Sequence, residues 1–193
     1  KLFLDRNFSV GMFFIFIVGV TYLASMALMT PYLQTLMGYP VVTAGLVMGP
    51  RGLGTMVCMF VVGRLIGKID TRLLLMTGLL LTAWAMYDMT GWTPDVSQGT
   101  IAVTGFVQGA GLGLLFVPLT TVTFATLAPE HRVDATGLYN RSRNVGSSVG
   151  ISIVSYLLIR NNQINHAIIG SHVTAVNRAF NDGVVLKMLS PWT

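Results

Sequence analysis

Charge is what this sequence has least of. Only 10% of its 193 residues are Asp, Glu, Lys or Arg, against roughly 25% in an ordinary soluble domain. Hydrophobic residues make up 53%, more apolar surface than a water-soluble core of this length hides. The 12 Lys and Arg residues outnumber the 7 acidic ones for a formal charge of +5, but they stand in ones and twos between apolar runs. No basic stripe with interleaved aromatics exists, so nucleic acid is excluded as a partner. The one cysteine, Cys58, lies inside an apolar run, so no intrachain disulfide informs the fold. His131, His166 and His172 all fall outside the apolar runs, with no metal-ligand spacing and no Ser–His–Asp arrangement. No metal, no cofactor and no enzymatic chemistry is expected. The chain opens on Lys1 without a signal-peptide pattern, and reads as a segment of a longer protein.

What is present is length in the apolar runs. A bilayer core of about 30 Å takes about 20 residues of helix. Five runs meet that need: Phe8 to Met29, Val41 to Val62, Leu73 to Thr90, Thr100 to Leu127 and Gly137 to Ile159. The fourth contains Pro118, which predicts a kink or a ragged end. The fifth opens with Asn140, Arg141 and Arg143, which belong at an interface or against protein. Short links run from Pro31 to Pro40, Gly63 to Arg72, Gly91 to Gly99 and Ala128 to Thr136, so consecutive helices are antiparallel neighbours. The expected fold is an all-α integral membrane bundle over 1–159. A polar stretch, 160–193, follows as an extracytoplasmic loop, tail or surface helix, its patch from Val184 to Leu189 broken by Lys187.

Positive charge sets the orientation. With the second link in the cytoplasm, Lys1, Arg6, Arg64, Lys68, Arg72, Arg132, Arg141 and Arg143 share that side, against Arg160, Arg178 and Lys187 outside. The third link holds Trp92 and Asp95 but no Lys or Arg, as an external link should. The N-terminal end is therefore cytoplasmic.

Arg51 is the most informative residue. It sits about ten residues into the second run, roughly 15 Å deep, where an arginine costs about 2.5–3.5 kcal/mol on insertion scales. Gly49, Pro50, Gly52 and Gly54 thin the helix around it. It is either a structural donor stapling helices together or a participant in coupling or substrate passage, and the second reading is favoured because charges inside membranes are functional by default. Asp88, late in the third run, could carry a proton, but reads better as a solvated residue at a helix end. Gly105, Gly109 and Gly113, with Gly146 and Gly150, form rows of small residues that let helices pack closely. Gln108 shares the first row's face, to bridge helices or touch cargo. Tyr22, Ser25, Met29 and Tyr32 share a face of the first run, with Gln34 just beyond. Such a stripe is more often packing than a ligand lining, although its softness suits apolar ligands.

The link Gly63-Arg64-Leu65-Ile66-Gly67-Lys68-Ile69-Asp70-Thr71-Arg72 resembles the cytoplasmic loop between the second and third helices of each half of major facilitator transporters. Gly63, Leu65, Lys68 and Arg72 match; Gly67 replaces the usual Asp, and Asp70 stands where Gly is common, as in the second-half copy. Asn7-Phe8, Gly45 with Pro50-Arg51-Gly52-Leu53-Gly54, Pro118-Leu119-Thr120-Thr121, and Gly137 through Asn144 with Gly146, Ser147, Ser148 and Gly150 together resemble the drug–proton antiporters of the EmrB/QacA type. The resemblance implies five helices of a six-helix C-terminal half-bundle, its last helix beyond Thr193. It implies a multi-pass protein of the bacterial inner membrane that exports lipophilic or cationic compounds against inward proton flow by alternating access. Its partners would be the lipid bilayer, protons, cargo, the N-terminal half and a periplasmic adaptor protein. Arg51, Tyr22, Ser25, Met29, Gln34, Gln108, Asn140 and Arg143 would line the cavity or couple it. The main proton carrier would lie in the other half. A membrane scaffold or partner-binding subunit is the alternative.

Overall fold

A computed structural model describes residues 5–93 and 95–172. Its elements are α1 (Arg6–Pro31), a π-helical turn (Tyr32–Leu36), α2 (Val41–Leu65), α3 (Thr71–Thr90), α4 (Gln98–Phe124), a 3-10 turn (Pro129–His131) and α5 (Arg132–His172). No strand is present among the described residues. By its contacts the chain divides into Lys1–Ile151 and Ser152–Thr193. In the second unit the described residues, 152–172, are helical.

Local chemistry fixes the ends. Asp5 caps α1 by accepting from the Asn7 and Phe8 amides, Asp70 caps α3 by accepting from Arg72, and Ser97 caps α4 by accepting from Thr100, each satisfying amides a helix start leaves open. Inside the helices hydroxyls turn back on their own carbonyls, as Thr82 does on Gly78 at 2.8 Å and Thr123 on Leu119 at 2.6 Å. Satisfied this way, they cost little in lipid.

Among the described residues, four helices are long and apolar enough to cross a membrane: Arg6–Leu36, Val41–Leu65, Thr71–Thr90 and Gln98–Phe124. The expected fifth span, Gly137 to Ile159, is helical within α5, but its opening Asn and Arg residues keep it below the apolarity of those four. Spanning by α5 is therefore a proposal. Boundaries also move. The expected first link begins too early, because Pro31–Leu36 is helical. Proline removes one helical donor without forcing an end, and the chain widens to a π-turn. The stop comes at Gly38, with φ at 66°, where the Tyr39 amide reaches back to the Leu33 carbonyl at 3.0 Å, the C-terminal pattern that favours glycine. The fourth run ends sooner than expected, in a turn after Phe124, although α4 continues through Pro118. The expected fourth link is shortened, since α5 begins at Arg132. At the other boundary α5 passes Ile159 and runs to His172, so the tail's first residues extend the helix. Val184 to Leu189 lies outside the described residues.

The core sits on α4, where 56% of the most apolar stretch is buried, against 17–22% in the other three spans. It packs on α2, α3 and α1. At one end Met29, Leu33, Ala44, Val47 and Ile101 cluster. At the other, Phe8, Leu127 and Ala135 adjoin Ile15, Leu119 and Tyr139.

Candidate functional site

The buried residues of α2 are Ala44, Val47, Arg51, Gly54 and Val62, a helical stripe facing α4. α4 answers with glycine. A Cβ on Gly109 would collide with the Arg51 carbonyl, one on Gly113 would lie 2.7 Å from the Thr55 carbonyl, and one on Gly54 would strike the Phe106 carbonyl. Main chains therefore touch along this seam, as rows of small residues allow. A Cβ on Gly49 or Gly52, on the outer face, would meet nothing outside its own helix turn within 4 Å.

Arg51 is 4% exposed and runs along the seam. Its Nη2 donates to Gln108 Oε1. Gln108, 0% exposed, donates through Nε2 to Ser25 Oγ at 3.2 Å, and Ser25 Oγ donates to the Tyr22 carbonyl at 2.8 Å. The guanidinium carbon lies 5.6 Å from the centre of the Tyr22 ring, within cation–π reach. Thr55 Oγ1 donates to the Arg51 carbonyl at 3.0 Å. One α4 amide thus ties α2 to α1. Arg51 Nη1 is buried without a hydrogen-bond partner among the described residues. A charged donor left open in a dry site is costly, so this atom is where an anion or a lone pair would be held.

The structure thus gathers Arg51, Gln108, Ser25 and Tyr22. It does not gather the rest. Met29 is a core residue beside Leu33 and Val47, because a thioether buries more cheaply than it lines a wet cavity. Gln34 is exposed on the π-turn and Asn140 is exposed on α5. Arg143 is half-buried, its guanidinium carbon 5.9 Å from the centre of the Phe116 ring. The expected link from Gly63 to Arg72 is shortened, since α2 runs to Leu65 and α3 begins at Thr71. Gly63, in the last turn of α2, and Lys68, in the link, are exposed, the Leu65 carbonyl accepts from the Lys68 and Ile69 amides, and Gly67 turns the chain at φ 90°. Asp70 is the α3 cap, and Arg72 borders an apolar groove with Phe14, Leu75 and Met76.

Gly146 and Gly150 of α5 meet the Phe16 and Val20 carbonyls of α1, and Gly19 of α1 meets the Arg143 carbonyl. Sequence reasoning missed Gly19, along with Gly78 and Gly111, which bring α3 onto α4. Single glycines carry no row to notice. It also missed Thr104, which donates to Asp88 Oδ2 at 2.6 Å. Asp88 is half-buried against α4, while Trp84 and Tyr87 are 54% and 77% exposed. The expectation of a solvated Asp88 is therefore corrected: the carboxylate turns into the bundle because a hydroxyl on α4 receives it.

The all-α fold with its long apolar helices agrees with the chain's sequence relationships. The Major Facilitator Superfamily profile matches residues 1–160, and the chain belongs to that superfamily. Among curated proteins it is 32% identical over 182 residues to the fatty acid resistance protein FarB of Neisseria gonorrhoeae, covering 94% of this chain and 36% of FarB. It is 30% identical over 181 residues to the multidrug export protein EmrB of Escherichia coli strain K12, covering 92% of this chain and 35% of EmrB. It is 32% identical over 186 residues to the probable multidrug resistance protein EmrY of the same strain, covering 94% and 36%. The chain thus spans about a third of the length of these relatives.

Proposed function

We propose that the chain is part of a secondary active transporter of the bacterial inner membrane that exports lipophilic compounds, cationic ones among them, by proton antiport. Kinship with multidrug export and resistance proteins supports the reading. The observation that carries it is the buried Arg51, bonded to Gln108 of α4 and through it to Ser25 of α1, with Nη1 left open. A charge at that depth that serves packing alone would be fully tied off. In this reading α1, α2 and α4 contribute one wall of a midplane cavity. The N-terminal half supplies the opposite wall, and the two rock to expose the cavity to each side in turn. The α2–α3 link, with Lys68 in it and Arg64 and Arg72 in the helix turns on either side, faces the cytoplasm, α5 crosses the membrane, and a periplasmic adaptor protein receives the cargo.

The test is substrate-dependent proton flux in proteoliposomes holding the complete protein. An imposed proton gradient should drive accumulation of a lipophilic cation dye, and added dye should discharge the gradient. Absence of both, for a panel of lipophilic cations and weak acids, overturns the reading. Topology is tested separately. Single cysteines at Thr71 and Asp95, in a background lacking Cys58, should label from opposite sides with an impermeant thiol reagent; labelling of the Thr71 site from outside reverses the orientation.

A further inference from the structure

Along Gln98–Phe124, α4 carries no ionisable side chain, yet it holds one charged residue from each of two neighbours. Arg51 of α2 donates to Gln108. Asp88 of α3 accepts from Thr104 at 2.6 Å, and the same oxygen accepts from Trp92 Nε1 at 3.4 Å. Thr104 and Gln108 are 2% and 0% exposed. Four residues apart, they stack on one face of α4, with Cβ atoms about 6 Å apart. The two opposite charges are therefore held on adjacent turns of one uncharged helix.

We propose that Asp88 is a proton-binding site of the transporter, its charge state felt at Arg51 across the Thr104–Gln108 face of α4. The proposal rests on the transport reading above and places a proton site within this segment. With Asp88 ionised, carboxylate and guanidinium offset one another where screening is weak. Uptake of one proton from the external side forms an O–H bond on the carboxylate and changes nothing else covalently. The Thr104 bond survives with donor and acceptor exchanged, because a hydroxyl serves as either. Arg51 is then an uncompensated buried cation with Nη1 open, and it draws its next partner from the other half or from cargo. Loss of the proton restores the balance.

The other titratable groups around this end are few. The π-turn brings Tyr32, whose hydroxyl donates to the Thr93 carbonyl at 2.8 Å, and α1 brings Tyr22 beside Arg51. The α1–α2 link brings Tyr39 and the α3–α4 link brings Asp95, which is exposed. Arg51, bonded to Gln108 one turn further along, is the charged residue on the same face of α4.

The experiment uses the complete transporter in lipid, as wild type, Asp88→Asn and Asp88→Glu. Asp88→Asn should keep its thermal melt and substrate exchange, which needs no net proton movement, while gradient-driven transport falls at least about tenfold, the scale of a coupling between two binding events. Its transport should lose pH dependence. Asp88→Glu should recover gradient-driven transport with a displaced pH profile. The infrared signal of carboxyl protonation should titrate in the wild type and be missing in Asp88→Asn. That readout needs no transport, so it stands even where the transport reading fails. Arg51→Gln should alter the pH dependence of the same signal. The proposal is overturned by Asp88→Asn with unchanged gradient-driven transport and carboxyl signal. Should Asp88→Asn not fold, Asp88→Glu with an unmoved pH profile overturns it instead.

Discussion

The α2–α4 seam and the aromatic corner where α1, α4 and α5 meet are built on opposite principles. The seam has almost no side chains: Gly54, Gly109 and Gly113 let carbonyls touch the facing helix, and the space left holds a charge, Arg51. The corner is all side chain. Phe124 lies 6.4 Å from Phe8 and 5.4 Å from Tyr139, centre to centre, with Leu127, Ala135 and Met12 around them. In lipid, apolar side chains gain little by leaving one hydrocarbon for another, whereas close backbone approach and interhelical hydrogen bonds still attract. The seam should therefore tolerate less change than the corner.

Gly109→Leu should be the most damaging change. Its Cβ meets the Arg51 carbonyl, which is backbone and cannot swing away, so the cost should reach or exceed the ~1–3 kcal/mol of ordinary overpacking. Folded yield in membranes measures it, with Leu114→Ile, a volume-conserving change, as the mild control. Equal tolerance of both would break the comparison.

Arg51→Met asks whether the seam exists for its charge. Removing a buried charge and filling its space often leaves stability unchanged or raised, so the melt should hold while transport per folded molecule is abolished. Arg51→Lys should fold but transport poorly, because an ammonium cannot reproduce the planar five-donor fork. Proportional loss of fold and transport in both would make Arg51 a staple. Normal specific transport by Arg51→Met would remove it from the site.

At the corner, Phe124→Leu loses two ring contacts worth about 0.5–1.5 kcal/mol each beyond burial. The variant should lower the melting temperature modestly and leave specific transport intact.

The smallest effect belongs to Asp5, which is half-buried at the same end. The Thr126 hydroxyl, then the Phe8 and Asn7 amides, hold its carboxyl below the usual range. A depressed carboxylate stabilises the fold above its unfolded value, about 3.9, and that stabilisation is lost as pH falls through the folded value. Asp5→Asn should thus melt slightly below wild type at neutral pH, and the gap should close on acidification below about pH 4. A gap constant with pH would mean the charge contributes nothing.

Much of this was legible in the sequence because a bilayer imposes its demands locally. The apolar runs of α1 to α4 and the close approach at Gly109 and Gly113 follow from length, rise per residue and the spacing of small residues, with no knowledge of neighbours. Gly105, the third of that row, makes only an ordinary contact with Arg51. The relation of Gln108 to that row was legible too, since both are matters of period. What only the tertiary structure decided is which polar groups meet. That Gln108 joins Arg51 to Ser25, that Thr104 turns Asp88 inward, and that Met29 is core while Gln34 and Asn140 are exposed depend on how α1, α2 and α3 rotate around α4. In a membrane every helix is apolar nearly all round, so the pattern that fixes rotation in water is absent. Rotation is set instead by single glycines such as Gly19, Gly78 and Gly111, whose meaning appears only when the facing backbone is in place.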